Sequence, residues 1–254
     1  MTPPNDDDEV EALHTDSSSR PYYPGFLDWL IPAFLVLAGF AVVVGGAGLW
    51  AGTDVEIIQQ MVAEGAIQSD MYTGQDLVDV TYATAWWSAI GLVVTGVAIW
   101  LGAAWFVVLR RRERRQEKTG EQPRYVWTNA IVGAVAAIVL GFIPLSQALG
   151  GAIAGYLQRE DRDTNVKVGA LSGLLTGLPI VIAVVFVFAG LIDGTLGVED
   201  GNWAPLLIAV TGFTVVLTLL FVIAVGAIGG WIGGHLAGDS RKERTRARTS
   251  RQEE

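Results

Sequence analysis

The stretch "GFIPLSQALGGAIAGYLQRED" (Gly141–Asp161) decides the fold of this chain, because it sets Pro144 inside an apolar run and then ends in charged residues. The apolar block around it, Asn129–Leu157, has 29 residues. As one α-helix this block would be about 43 Å long. The hydrocarbon core of a bilayer is only about 30 Å thick, so the block is too long for one upright span.

Proline removes a backbone donor and clashes with the preceding turn, so it breaks or kinks a helix. We therefore predict a helical hairpin: Asn129–Ile143 enters the membrane, Pro144–Ser146 turns, and Gln147–Leu157 returns. Ser146 can satisfy backbone groups that the break leaves free, as the membrane interior requires. The alternative is a single long span kinked at Pro144, which would give five crossings.

The distribution of basic residues favours the hairpin. The segment Arg110–Arg124 carries seven basic and three acidic residues, and the tail Gly238–Glu254 carries six and four. Short segments rich in Lys and Arg stay cytoplasmic, so an even number of crossings must separate these two. Besides the hairpin block, two apolar blocks lie between them, Val168–Ile192 and Ala204–Ala237. The hairpin block must therefore begin and end on the same side.

The composition indicates a multi-pass membrane protein. The hydrophobic residues make up 51% of the chain and the mean hydropathy is +0.42, which exceeds what a soluble domain carries. No Lys or Arg occurs between Arg20 and Arg110, or between Lys167 and Arg241. The chain has no cysteine, which excludes disulfides, thiolate metal sites and a cysteine nucleophile.

The fold class that we predict is all-α: an integral membrane helical bundle with four full spans and one short, proline-turned hairpin. Both termini are expected to be cytoplasmic in the cell membrane, because every basic residue then falls on one side. The N-terminal segment is acidic and lacks an apolar centre, so we expect a disordered tail rather than a signal peptide.

The predicted units are a tail (1–25), a two-helix membrane unit (26–109) with an outer helical loop (51–82), a basic linker (110–128), a Gly-rich bundle (129–237, with the hairpin 129–157 and the spans 168–192 and 204–237) and a charged tail (238–254).

The outer loop predicts a short helix of its own. Thr53 and Glu56 have the spacing of a capping box, and Gly65 can end the helix.

Glycines four residues apart form the strongest chemical signal in the sequence. Such glycines share one face of a helix and let another backbone approach closely, which is how helices associate in lipid. This pattern of a glycine zipper predicts packing inside the C-terminal bundle, and the alternative is a self-association face. The predicted helix-packing residues are Gly151, Gly155, Gly169, Gly173, Gly177, Gly226, Gly230 and Gly234.

A short internal echo accompanies the glycines. "GGAIAGYL" (Gly150–Leu157) recurs as "GGWIGGHL" (Gly229–Leu236), and both copies run into charged segments. The echo indicates that the two helix ends share one polarity.

Catalytic and cofactor-binding motifs are missing from the sequence. The centres of the spans carry no charged residue, whereas ion paths and proton relays usually contain one. No nucleophile–base pair, metal motif or phosphate loop is visible. We therefore predict no enzyme activity, no cofactor and no metal. The basic segments are explained by orientation in the membrane, so nucleic acid is not an expected partner.

At "GFIPLSQALGGAIAGYLQREDRDTNVKVGALSGLLTGLP" the chain resembles a family of small, uncharacterised membrane proteins of halophilic archaea. The shared pattern is "IP-x-S-x-x-LGG-x-x-AGYL-x-x-x-D-R…VGALSG", and the resemblance covers Asn129–Leu236. Tyr23–Arg112 is similar, more loosely, to another uncharacterised family of these organisms. The resemblance implies a high-salt environment and no assigned activity. A sequence pI of about 4.7 agrees with it.

Two functions remain open at this level. The first is a structural or assembly role through glycine-mediated helix packing, with the lipid bilayer as surroundings and a homo-oligomer as the expected assembly. The second is a channel or transporter for a small solute or ion, in which the turn at 143–146 lies at membrane depth beside a cavity.

Overall fold

The computed structural model describes residues 25–120, 125–158, 162–196, 198 and 204–252, with the side chains of the last helix described as far as Gly238. The acidic tail up to residue 24 and residues 121–124 of the basic linker lie outside these ranges. The described residues form seven α-helices and no strand, which confirms the all-α class. The helices are α1 Leu27–Gly52, α2 Val55–Ala63, α3 Gly74–Thr119, α4 Val126–Val139, α5 Ser146–Gln158, α6 Arg162–Thr195 and α7 Ala204–Gln252.

Four helices of the described chain, α1, α3, α6 and α7, are long and apolar enough to cross a membrane. Only 22%, 22%, 17% and 6% of their most apolar windows is buried inside the molecule. Large apolar side chains such as Trp29, Leu37 and Phe213 therefore stay uncovered. An uncovered apolar surface of this extent fits lipid rather than water.

The hairpin forms as the fold prediction requires. Helices α4 and α5 pack against each other and are joined by the turn Leu140–Leu145. Helix α4 ends at Val139, four residues before the predicted Ile143. The physical reason is Pro144, because the residue before a proline is pushed out of the helical region and the helix closes further upstream.

The charged segments extend the helices beyond their apolar parts. Helix α3 continues past Leu109 to Thr119, and Gly120 ends it with a φ of 80°. Helix α6 begins at Arg162, before the predicted Val168. Glutamate, arginine and lysine are good helix formers, which accounts for the extension of α3, because its polar end is rich in these residues.

The outer helix α2 forms, but its cap differs from the predicted one. The side chain of Asp54 caps it by accepting a hydrogen bond of 2.8 Å from the N–H of Glu56. Thr53 instead donates to the carbonyl oxygen of Leu49, 2.7 Å away. The capping box from Thr53 is therefore wrong, because this hydroxyl already bonds back to the end of α1.

The helices follow one another in space as α1, α3, α6 and α7, and the hairpin is wedged between α3, α6 and α7. Side chains of α1, α3 and α4 meet around the fully buried Phe106. Contacts from Glu113 to Thr128, and from Asn165 to Gly234, bring the Arg- and Lys-rich ends of α3 and α7 to one end of the bundle. We call it the basic end.

Candidate functional site

Glycines form the contact between α5 and α7. Gly151 lies against Gly226, and Gly155 against Gly230, so the two helices run in the same direction. A Cβ atom added at either α5 glycine would overlap a carbonyl oxygen of α7. Backbone contact of this kind is open only to glycine and replaces the hydrophobic drive that lipid cannot supply.

The antiparallel pair α6 and α7 uses the same glycines of α7 from a second side. Gly169 meets Gly226 and Gly230, and Gly173 meets the carbonyl group of Val222. Helix α7 is therefore held between two helices that both reach its backbone.

The outer members of the two glycine rows meet side chains instead. A Cβ atom at Gly177 would lie 2.6 Å from a γ-carbon of Val222. At Gly234 it would overlap the side chain of Asn165. A side chain can adopt another rotamer whereas a backbone cannot move in this way, so these two positions should tolerate an added side chain better than the central ones.

The eight predicted glycines thus all face another helix of their own chain. The interpretation of these glycines as a self-association face is corrected, because the space that a partner helix would need is filled by α5, α6 and α7. Any assembly of several chains must use another surface.

The two copies of the echo lie side by side. Gly229 and Gly233 of the second copy touch the backbone of Ala148 and Ala152. Other glycines, outside the predicted set of eight, also approach another helix closely. They are Gly133 with Gly150, Gly39 with Gly96, Gly91 with Phe186, and Gly190 and Gly194 with α3.

Several backbone donors of the hairpin turn are bonded within the turn itself. The N–H groups of Gly141, Ile143 and Ser146 donate to carbonyl oxygens three residues earlier, at 3.0, 2.8 and 3.2 Å. Pro144 has no N–H to satisfy. The side chain of Ser146, the first residue of α5, is buried, whereas Phe142 is 82% exposed. Such a turn can lie in an apolar medium with few free polar groups.

Buried amides close the open end of the hairpin. The side-chain nitrogen of Asn129 donates to the side-chain oxygen of Gln158 at 2.8 Å, and both residues are buried. Further inside, the hydroxyl of Ser172 is fully buried beside Gly133 and has no hydrogen-bond partner among the described residues. These polar groups lie between helices, where a satisfied pair joins them and fixes their register.

A charged cluster joins the N-terminal helices to the hairpin at the basic end. The carboxylate of Asp28 accepts from Arg110 at 2.5 Å and also from Arg114. Arg110 further contacts Glu113 at 3.0 Å, and Glu113 accepts from the hydroxyl of Thr128 in α4. Three helices, α1, α3 and α4, thus meet through one network of charge-assisted hydrogen bonds.

A second polar contact stands just outside the cluster. The phenol of Tyr125 donates to the carboxylate of Glu117. Burial, and then this hydrogen bond to Glu117, raise the pKa of Tyr125 above its ordinary value. The neutral phenol is therefore the form that the folded chain favours.

An apolar cleft of about 390 Å³ opens on the side of the bundle between α3, α4 and α6, with Leu35 of α1 at one edge. Gly102 and Trp105 of α3 line it, as do Ile131 and Ile138 of α4. Its walls are almost wholly apolar. The cleft suits a hydrocarbon chain and offers nothing to a polar solute.

Within the described ranges, no three His, Cys, Asp or Glu side chains lie together as a metal site would require. The charged groups that do meet neutralise one another across helix boundaries. Their geometry suits holding helices together.

Sequence reasoning missed the charged cluster, although each member was visible. Asp28 and Arg110 lie 82 residues apart, so no local sequence pattern links them. The signal that could have found the pair is the expected antiparallel packing of the first two spans. In that arrangement, the start of the first span lies at the same height as the end of the second span.

Comparison with known proteins matches part of the chain to a family model. No curated protein and no solved structure matches the chain. The model of DUF5518, described as a family of unknown function, matches residues 127–236. That stretch takes in nearly all of the hairpin, α6 and the apolar part of α7. A DUF5518 domain, a domain of unknown function, is therefore found over residues 127–236 of the C-terminal bundle.

Proposed function

We propose that this chain is a non-enzymatic integral membrane protein with a structural or assembly role. The observation that carries the proposal is the backbone contact of Gly151 and Gly155 with α7. Helices in such contact leave no room for a passage between them, so the centre of the domain is closed. A closed, glycine-packed core is a rigid body, which suits a scaffold.

The orientation that we propose places the basic end, and with it both termini, in the cytoplasm. The shared position of the basic ends of α3 and α7 supports it, because Lys- and Arg-rich segments are retained inside. A cysteine introduced by Ser250→Cys should resist an impermeant thiol reagent in intact cells and react after lysis. The chain has no other cysteine. Labelling in intact cells would contradict the orientation.

The cell membrane of a halophilic archaeon is the setting that we propose. The resemblance of the C-terminal bundle supports it. A formal net charge of −9 at pH 7 is consistent with a high-salt environment. Nucleic acid is not among the proposed partners, because orientation accounts for the basic segments.

A second copy of the chain is the partner that we propose, with α7 as the contact. Among the described residues, helix α7 packs only on α5 and α6, and its apolar window is the least buried of the four, at 6%. Phe213 and Leu217 stand on it, 69% and 54% exposed. A face of this kind can pair with a copy of itself about a two-fold axis.

Cysteine cross-linking in native membranes tests the assembly. Leu217→Cys should form a disulfide-linked dimer under mild oxidation. Leu37→Cys on α1, where the native side chain is 68% exposed, is the matched control and should stay monomeric. Equal cross-linking at both positions would indicate random collision, and none at Leu217 or its neighbour Phe213 would contradict the proposed contact.

The hairpin turn favours a second candidate, a channel or transporter for a small solute or ion. Irregular backbone at membrane depth often lies beside a transport cavity. Here the N–H groups of Gly141, Ile143 and Ser146 are bonded locally and the neighbouring cleft is apolar, which favours the structural role. Flux of ions or small solutes through liposomes that contain the purified chain would favour the transporter.

A further inference from the structure

The apolar cleft between α3, α4 and α6 has the size of a ligand site. Its volume of about 390 Å³ lies within the range of about 300–1,000 Å³ that small-molecule sites occupy. It is open to the side, where the apolar helices face the lipid. Gly102 lines the cleft, and a Cβ atom at this glycine would meet no other atom within 4 Å. The missing side chain of Gly102 leaves that part of the cleft empty.

Two tryptophans stand where the cleft approaches the basic end. The rings of Trp105 and Trp127 lie 5.0 Å apart between centroids, and both residues are partly exposed. Tryptophan is typical of the layer where lipid chains meet headgroups. The pair therefore indicates the depth at which the apolar cleft ends and polar surroundings begin.

A basic side chain follows on the same stripe of α3. Leu101, Trp105, Val108 and Arg112 recur at the spacing of one helix face, and Arg112 is exposed. Nearby carboxylates are already engaged, since Asp28 and Glu113 accept from Arg110, Arg114 and Thr128. Arg112 takes part in none of the ion pairs within the described residues. Its charge is available to an anion at the membrane surface.

We infer that the cleft binds one anionic membrane lipid from the leaflet at the basic end, with a hydrocarbon chain against Gly102 and Ile138 and the headgroup phosphate at Arg112. The inference rests on the proposed membrane embedding and orientation. The apolar walls account for the chain, the tryptophan pair for the depth of the headgroup, and Arg112 for its charge. The lipid would join the N-terminal helices to the DUF5518 domain, because α3 belongs to the first and α4 and α6 to the second.

Native mass spectrometry of the purified protein, after detergent exchange and addition of phosphatidylglycerol or phosphatidylcholine, tests the inference. The wild type should retain one phosphatidylglycerol in preference to phosphatidylcholine. Arg112→Gln should lower that preference about fivefold, the effect of one basic residue at an anionic surface. An unchanged preference would overturn the role of Arg112.

Gly102→Phe tests the cleft itself. The new ring should fill the space and abolish retention of both lipids. Gly212→Phe on α7 is the matched control, because a side chain there also meets nothing within 4 Å and Gly212 lies outside the cleft. Equal retention by the two phenylalanine variants would overturn the inference. Thermal unfolding of both variants shows whether Gly102→Phe is folded, and Arg112→Gln, an exposed change, tests the site independently.

Failure of this inference and failure of the proposed function give different results. Cross-linking through Leu217→Cys can be measured in the same variants. Intact cross-linking without selective lipid retention would contradict the lipid site and leave the proposed assembly standing. Loss of cross-linking together with selective lipid retention would contradict the proposed assembly and leave the lipid site standing.

Discussion

The DUF5518 domain and the N-terminal pair α1–α3 both pack through glycine, but they use it in different ways. In the domain, the nearest obstacle to a side chain at Gly151 or Gly155 is a carbonyl oxygen of α7. In the N-terminal pair, the nearest atoms are more often side-chain atoms. A Cβ atom added at Gly39 would lie 2.6 Å from the ring of Trp100, and one added at Gly96 would lie 2.5 Å from a methyl group of Val43. Contact with backbone predominates at the glycines of the domain, and contact with side chains predominates at those of the N-terminal pair.

The regions also differ in their polar contacts. The indole of Trp100 donates to the carbonyl oxygen of Val36 at 3.0 Å, and Asp28 binds Arg110, so the N-terminal pair is tied by side chains. In the domain, the centre of the α5–α7 contact is backbone on backbone. A side chain can adopt another rotamer but a backbone cannot, so the domain should tolerate substitution less well than the pair.

The largest effect is expected from Gly151→Ala. Adding a methyl group to a packed site costs about 1–3 kcal/mol, and we expect about 3 kcal/mol here because the obstacle is the backbone of Gly226. Equilibrium unfolding in detergent measures the loss. Gly48→Ala in α1 is the control, since a side chain there meets nothing within 4 Å, and it should change stability by less than about 0.5 kcal/mol. Equal losses would remove the distinction between the two kinds of glycine.

Next in size is Asp28→Asn in the N-terminal pair. The carboxylate binds two guanidinium groups, and the side chain of Arg110 is only 11% exposed. Loss of hydrogen bonds to a charged partner should destabilise the fold by about 2 kcal/mol, measured by the same unfolding assay. Arg114→Gln removes a partner whose side chain is 57% exposed, and it should cost less than about 1 kcal/mol. A cost for Asp28→Asn no larger than that control would show that the cluster contributes little.

Two neighbouring glycines of α6 sharpen the comparison within one contact. Gly177 faces the side chain of Val222, whereas Gly173 faces its carbonyl group. Val222→Ala should therefore rescue Gly177→Ala by about 1 kcal/mol in a double-mutant cycle. The same cycle with Gly173→Ala should give coupling below about 0.5 kcal/mol. Equal coupling at both positions would contradict the assigned contacts.

The smallest effect is expected from Tyr125→Phe, at the junction of the two regions. Because the pKa of Tyr125 is raised in the folded chain, its contribution is present below the ordinary pKa of 10.0 and is lost as the pH rises through the folded value. The variant should be less stable than the wild type by about 1 kcal/mol at pH 8. That difference should shrink at strongly alkaline pH. A difference that stays constant with pH would indicate lost packing, with no contribution from the Tyr125 proton.

Much of the architecture could be predicted from local sequence. The length of Asn129–Leu157 and the position of Pro144 predicted a hairpin because backbone donors cannot stay free in lipid. The place where α4 ends was missed by four residues, since the conformation before a proline shifts the break upstream. The cap of α2 was assigned to Thr53 because its spacing to Glu56 was read without the competing carbonyl group of Leu49.

The sequence by itself determined the apolar spans, the proline turn and the rows of glycines, because length, hydropathy and periodicity are properties of neighbouring residues. Only the tertiary structure decided which glycine meets a backbone and which meets a side chain, and that Asp28 lies at Arg110. The cleft beside Gly102 was likewise visible only in the tertiary structure. These depend on how helices distant in sequence approach each other, and the distance of approach follows from all of their contacts together.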